Sequence, residues 1–339
     1  NILSVVALSF VYVFVLVVSG LVNDAELAID LIVKMMICIL TLIAAYTFGS
    51  KFGALEVFNY LKLVVLVSAI ISLIHCFYYY FILNSPYLSA SLDVISEIGK
   101  NQIANYMGAM VVLSLFLLQR EKSKIWSVLI IFSIVMHAAA LLYTFSRSAL
   151  LGVVFAVLLF QFASRRISIK GLFSLKILVM VVFFIGFILF FSTNDFYVQF
   201  ISNLESIITF QDKDESTSIS VRSELITSGL NIFYTFPFFG AGPGYFVNSF
   251  AVASHNSYIQ LLAETGIIGF LSYVSIIMVP LLFWKKEVLS SSIKPVILFL
   301  MFSLLFQNAL DSILIFFFLG LLCVNKEKSS SILEYKQGA

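Results

Sequence analysis

Charge is what this chain has least of. Only 11% of its 339 residues are Asp, Glu, Lys or Arg, and the formal net charge is +2. That balance, with the basic residues in short separate clusters, excludes nucleic acid as a partner. Cys38, Cys76 and Cys323 stand alone in apolar runs, without CxxC or metal-ligand spacing, so they read as inert core thiols. The chain also lacks a DxD-type metal site, HExxH, a nucleotide-binding loop and any solenoid-length repeat. Chemistry without a metal or cofactor is the expectation.

Apolar sequence fills the space instead. Hydrophobic residues make up 61% of the chain and the mean hydropathy is +1.07, a composition outside the soluble range. About 20 apolar residues carry a helix across a hydrocarbon core of roughly 30 Å. On that measure, full spans are expected over residues 2–19, 29–48, 63–83, 103–118, 125–143, 149–162, 175–192 and 257–284. The first is too long for a signal h-region and has no clear cleavage site. Pro295 to Cys323 is interrupted by Gln307, Asn308, Asp311 and Ser312 and reads as two short helices with an outward turn. A single tilted span there would put Lys326, Lys328 and Lys336 on the wrong side. The expected fold is all-α: a polytopic membrane protein of about ten transmembrane helices, one integral membrane domain over residues 1–339.

The connections alternate in charge. Asp24, Glu26 and Asp30 mark an acidic one; Lys51 and Lys62, Arg120 to Lys124, Arg165 to Lys170, and Lys285 with Lys286 mark basic ones on the opposite side. By the positive-inside rule the N-terminus is cytoplasmic and the long loop 193–256, between the seventh and eighth spans, is external. That loop is net acidic, with Asp195, Glu205, Asp212, Asp214, Glu215 and Glu224 against Lys213 and Arg222. Within it, residues 220–233 place Val221, Leu225, Gly229 and Phe233 on one helical stripe, which suits a helix lying along the membrane surface. The glycine-rich PFFGAGPGYF that follows reads as a re-entrant turn whose backbone N–H groups could approach an anion.

Polar chemistry concentrates at the outer ends of the spans. Arg147, in TFSRSALLG, runs against the charge trend and is either a snorkelling anchor or a functional cation. Arg222 is on the same side, and guanidinium forks suit phosphate oxygens. His255, in HNSY at the start of the eighth span, is either an interfacial cap or a general base. Glu264 lies nine residues further on, about 13 Å deeper along a helix and inside the apolar zone, where a carboxylate calls for a function or a partner. Asn101 and Asn105 open the fourth span, as caps or facing the same cavity, and Asp30 and Lys34 are spaced to pair.

Taken together and in this order, NQIANYMGAM, TFSRSALLG, an arginine in a long external loop, PFFGAGPGYF and HNSYIQLLAETGIIGF resemble the O-antigen ligase and O-antigen polymerase superfamily of bacterial envelope glycosyltransferases. The resemblance implies a GT-C-like membrane fold in the cytoplasmic membrane with a long periplasmic loop. It also implies a glycan donor on undecaprenyl pyrophosphate and an acceptor that is either another glycan or the lipid A core. Arg147 and Arg222 would match the family's pyrophosphate-binding arginines and His255 its catalytic histidine, with Asn256, Tyr258, Glu264, Gly240, Gly242, Gly244, Asn101 and Asn105 as substrate contacts. Besides membrane lipids, a chain-length regulator or a flippase is the implied partner. The family usually has more spans than are counted here, which missing N-terminal spans would explain. A lipid-linked glycan flippase or secondary transporter is the rival from another class, but transporters put their polar groups at the bilayer midplane between two related halves, and no such halves are visible.

Overall fold

The computed structural model describes residues 2–22, 25–79, 100–144, 146–164, 215–250, 254–283, 288–307 and 312–324. Every regular element among them is helical: α1 Ile2–Val22, α2 Ala25–Phe77, α3 Lys100–Leu118, α4 Lys124–Tyr143, α5 Arg147–Ser164, α6 Glu215–Thr235, α7 Tyr245–Phe250, α8 Ser257–Phe283, α9 Val288–Ser303 and α10 Ile313–Leu322. Five of these (α1 to α4 and α8) are long and apolar enough to cross a membrane; α5, α9 and α10 are shorter apolar helices. Leu3, Phe14, Val33, Leu40, Val128 and Leu271 are exposed along these helices. Apolar residues on every face suit helices whose outer solvent is lipid. The chain is an all-helical, multi-pass membrane protein.

The expected loop between residues 48 and 63 is helical, so α2 runs on for 53 residues, broken only where Gly53 adopts φ 80°, ψ 165°. A left-handed residue interrupts the hydrogen-bond ladder without a connecting loop, which glycine does at little cost. The break leaves α2 long enough for two crossings. The expected pair of short helices around residues 304–312 is present as α9 and α10, although α9 starts at Val288 and carries Pro295 inside it. Asp30 and Lys34 pair at 2.8 Å. The expected span 175–192 and, in the acidic loop after it, residues 193–214 and 251–253 lie outside the described residues.

Contacts divide the chain into two compact units. In the first (Asn1–Val57, Thr217–Ile297, Leu304–Ala339), α1 runs antiparallel along α8. The Tyr12 and Tyr273 rings meet edge to face at 5.3 Å, Gly269 faces Val15, and the Ser19 hydroxyl donates to the Glu264 carbonyl at 2.7 Å. Gly320 of α10 lies against the backbone at Leu42 of α2, where a Cβ would collide. Small residues allow such close packing in lipid, where no hydrophobic force drives helices together.

The second unit (Phe58–Ser216, Leu298–Ser303) is built on α3, α4 and α5. The Phe299 ring sits over Gly108 of α3 and Gly152 of α5, and Phe302 stacks on Phe155 at 4.7 Å. Ser123 opens α4 by accepting from Trp126 N–H at 3.4 Å. Just before it, Glu121 forms a 2.6 Å ion pair with Lys62, both side chains more than nine-tenths covered, and the Lys62 ammonium lies 4.9 Å from the Trp126 ring centroid.

Candidate functional site

The candidate residues fall into two groups. Arg222, Gly240, Gly242, Gly244, His255, Asn256, Tyr258 and Glu264 are on the first unit; Asn101, Asn105 and Arg147 are on the second.

On the first unit, α6 descends beside α8 in step with it. Gly229 packs on Ile259, Leu225 and Ile232 cluster with Phe246 and Ala263, and the Pro237 carbonyl accepts from Ile267 N–H at 2.9 Å. The apolar stripe expected of this helix buries Leu225 and Gly229, and Gly229 meets Ile259 of α8. An amphipathic period says which face is covered and not what covers it.

After Pro237 the chain turns back. Gly266 breaks α8 with φ 64°, ψ −168°, and the turn supplies the bonds that the broken ladder lacks. Ala241 N–H donates to the Ala263 carbonyl (2.8 Å), Gly242 N–H to the Glu264 carbonyl (3.0 Å), and Ile268 N–H to the Phe238 carbonyl (3.3 Å). A Cβ on Gly240 would strike the backbone at Glu264 and Thr265, and one on Gly266 would strike Phe238. Both residues also have positive φ, so only glycine fits.

The Glu264 side chain completes this lock. It is buried, with Oε1 accepting from Phe246 N–H and from Gln260 Nε2, each at 3.2 Å. The N–H groups of Gly240 and Gly242 pair within the fold, with the Phe236 and Glu264 carbonyls. Glu264 Oε1 is bonded to the turn that follows them.

Asn256 opens α8. Its Oδ1 accepts from Tyr258 N–H (3.0 Å) and Ile259 N–H (3.2 Å), which makes it the N-cap of α8. Its own N–H donates to Ser254 Oγ at 3.1 Å. Ser257 ties the helix start to the end of α9, its N–H donating to the Leu304 carbonyl and its hydroxyl to the Gln307 carbonyl at 2.5 Å. The partly buried Tyr258 ring meets Phe270 edge to face.

With the cap taken by Asn256, His255 is left over. It is exposed, and it is the only non-glycine with positive φ among the described residues, at 53°. A left-handed backbone costs an L-residue about 1–2 kcal/mol, and such strain gathers where a side chain must be aimed. Partial burial, and then the nearby Arg222 charge, hold its pKa below the ordinary imidazole value. His255 is thus within electrostatic range of the exposed Arg222 guanidinium.

On the second unit, Asn101 Oδ1 accepts from Ser146 Oγ at 3.1 Å, and Ser146 and Ser148 hydroxyls lie 3.2 Å apart, on either side of Arg147 at the start of α5. Asn105 is buried one turn below Asn101. Arg147 lines a cavity of about 300 Å³ together with Val111, Leu141 and Leu150. Among the described residues no three His, Cys, Asp or Glu side chains gather as a metal site would require. The contributions of Ser254, Ser257, Gln260 and Gly266 were not anticipated; the i,i+4 spacing of Gln260 and Glu264 was the one available signal.

Residues 132–274 match the family model described as O-antigen ligase. That stretch, about two fifths of the chain, is similar to the O-antigen ligase and polymerase superfamily. The matched stretch holds Arg147, Arg222, His255 and Glu264. No curated protein matches the chain. The match, with the long apolar helices, supports a membrane enzyme of the O-antigen ligase or polymerase type.

Proposed function

We propose that the chain is a metal-independent glycosyltransferase that moves an undecaprenyl-pyrophosphate-linked glycan onto an acceptor sugar at the outer face of the bacterial cytoplasmic membrane, and that its reaction is repeat-unit polymerisation. The observation that carries this reading is the Arg222–His255 pair, with the imidazole in a left-handed backbone and its pKa depressed. His255 takes the proton of the acceptor hydroxyl as that oxygen attacks the anomeric carbon. The bond to the pyrophosphate breaks, its electron pair leaves with the lipid pyrophosphate, and Arg222 stabilises the charge that develops there. Outside the membrane there is no nucleotide-sugar pool, so a donor carrying its own leaving group is what this location requires. Arg147 is a second phosphate-binding candidate on its own unit, and the chain as a single membrane domain remains part of the proposal.

Transfer to the lipid A core is the second reading, favoured by the description of the matching family. The net acidic external loop, which offers no basic patch for a phosphorylated core, favours polymerisation. Glycan analysis of a deletion strain separates them. Single repeat units on lipid A indicate a lost polymerase, and long chains left on the carrier lipid indicate a lost ligase. In reconstituted membranes, movement of the lipid-linked glycan without turnover would replace both readings with a flippase.

A further inference from the structure

The turn between α6 and α7 has a face that the proposed chemistry does not use. Tyr234, Phe236, Phe238 and Phe239 are all exposed, Phe238 by 66%. Three exposed phenylalanines on the turn, with Tyr234 in the last turn of α6 before them, make an apolar surface that a water-facing loop avoids.

Its depth can be read from α1. That helix has 21 residues, about 31 Å at 1.5 Å per residue, matched to a hydrocarbon core of roughly 30 Å. Tyr12, at its midpoint, meets Tyr273; Val15 faces Gly269; Ser19 bonds to Glu264. The carbonyl of Phe238 accepts from Ile268 N–H, so the tip of the turn sits between the levels of Val15 and Ser19. That is about 5 to 10 Å from the middle of α1 at 1.5 Å per residue. It lies inside the span, short of its end.

The chain reaches this depth and returns. Gly229 is level with Ile259 and Pro237 with Ile267 on the way in, and Ala241 and Gly242 are level with Ala263 and Glu264 on the way out. Non-helical backbone is tolerated at such a depth only where protein covers it, and here α8 takes the Pro237 and Phe238 carbonyls and the Ala241 and Gly242 N–H groups, while Gly240 N–H donates to the Phe236 carbonyl. The exposed residues grade accordingly, from Arg222 and Glu224 through Tyr234, an interfacial residue type, to the phenylalanines. On α8 the strip continues through the exposed Ile268 and Leu271.

We infer that residues 231–246 form a re-entrant hairpin whose aromatic tip, Phe236, Phe238 and Phe239, sits directly against bilayer hydrocarbon and so fixes the depth of the Arg222–His255 pair. The occupant of the patch is lipid acyl chain, because the patch continues the lipid-facing surface of α8. The inference rests on the backbone register and holds whether the acceptor is a glycan or a lipid A core.

The test uses the full chain in nanodiscs with a nitroxide at Phe238→Cys or, separately, Phe239→Cys; the native Cys38, Cys76 and Cys323 are buried. Collision with oxygen, which partitions into hydrocarbon, is compared with collision with a water-soluble nickel chelate. Both tip labels are expected to favour oxygen, Glu224→Cys the chelate, and Tyr234→Cys to fall between. A tip label that meets the chelate as Glu224→Cys does would make the patch an aqueous surface, such as a sugar-stacking platform, and overturn the inference. A label meeting neither would show the face covered by protein, with the same result. Phe238→Trp keeps the ring and gives a second reading: lipids brominated on their acyl chains should quench its emission over the Trp126 and Trp284 background, and no added quenching would count against the inference.

Discussion

Glu121 and Glu264 both bury a carboxylate in a chain with few charges, one in the turn between α3 and α4 and the other inside α8, but they are satisfied in opposite ways. Glu121 meets a full charge: Lys62 Nζ at 2.6 Å, with Lys122 and Ser123 N–H also donating to it. Burial alone would raise its carboxyl pKa, but the bond to Lys62, the two N–H donors and the Lys62 charge outweigh burial and hold it below the usual range. Glu264 meets neutral donors, Phe246 N–H and the Gln260 amide. Near Glu121 the cation is consumed by its partner. Beyond Glu264, at the mouth of α8, Arg222 stays exposed beside a histidine held in a strained backbone. A closed ion pair is an element of structure, whereas the exposed cation near His255 is the one on which the proposed chemistry draws.

Breaking each region should therefore give different losses. The largest is expected from His255→Ala, which should lower transfer by on the order of 10²-fold or more, the usual contribution of a general base, while donor affinity holds. His255→Gly relieves the left-handed strain and should be at least as stable, yet equally slow; transfer at the parental rate in either variant would remove the histidine from the mechanism. Lys62→Met should act the other way, costing about 3 kcal/mol of stability by leaving a buried carboxylate unpaired, with transfer per folded molecule unchanged. The depressed pKa of Glu121 implies that the parental protein keeps this contribution above the usual carboxylate range and loses it as the pH falls through the lowered pKa. Thermal unfolding in nanodiscs at two pH values checks both statements.

Smaller effects test the lock. Glu264→Ala leaves Phe246 N–H without its acceptor, about 1–3 kcal/mol for a buried donor, and should slow transfer by loosening the hairpin; Glu264→Gln keeps an acceptor oxygen and should restore most of both. If Glu264→Gln were as inactive as His255→Ala, the carboxylate would be chemical and not structural. The smallest change expected is a shift in pH dependence. Transfer requires neutral His255, so its acid limb lies below the ordinary imidazole range, and Arg222→Gln, by removing a positive neighbour, should raise the His255 pKa and move that limb to higher pH. Rate profiles of the two proteins decide the point, since an unmoved limb would mean that the two charges do not communicate.

Much of the fold was legible because apolar length is a direct measure of a span, and α1, α3, α4 and α8 start and stop within a few residues of their hydrophobic runs. Gly53 was not legible, because a basic stretch between two apolar runs reads as a loop whether it coils or stays helical. At the site, Arg222 and His255 stood out as polar residues in an apolar chain. Their neighbours were harder, since Asn256 and the glycines are the residue types both of ligand contacts and of caps and tight turns. What separates those roles is where the hydrogen bonds go. For Asn256 they go to Tyr258 and Ile259, and for Gly242 to Glu264.

The broken ladder of α8 also bears on how the protein is made. The hairpin is synthesised before α8, yet most of the partners that satisfy its backbone (the carbonyls of Ala263 and Glu264, the amides of Ile267 and Ile268) belong to α8, and α8 in turn rests on α1, whose Ser19 bonds to the same Glu264 carbonyl. Until Ser257 to Phe283 has left the ribosome and inserted, the segment that precedes it has no way to pair its amides in lipid and must wait in water. The corner that holds Arg222 and His255 is thus assembled late, by a long-range closure between α1 and α8, and a nascent chain halted before Ser257 would carry α1 without the helix that closes on it.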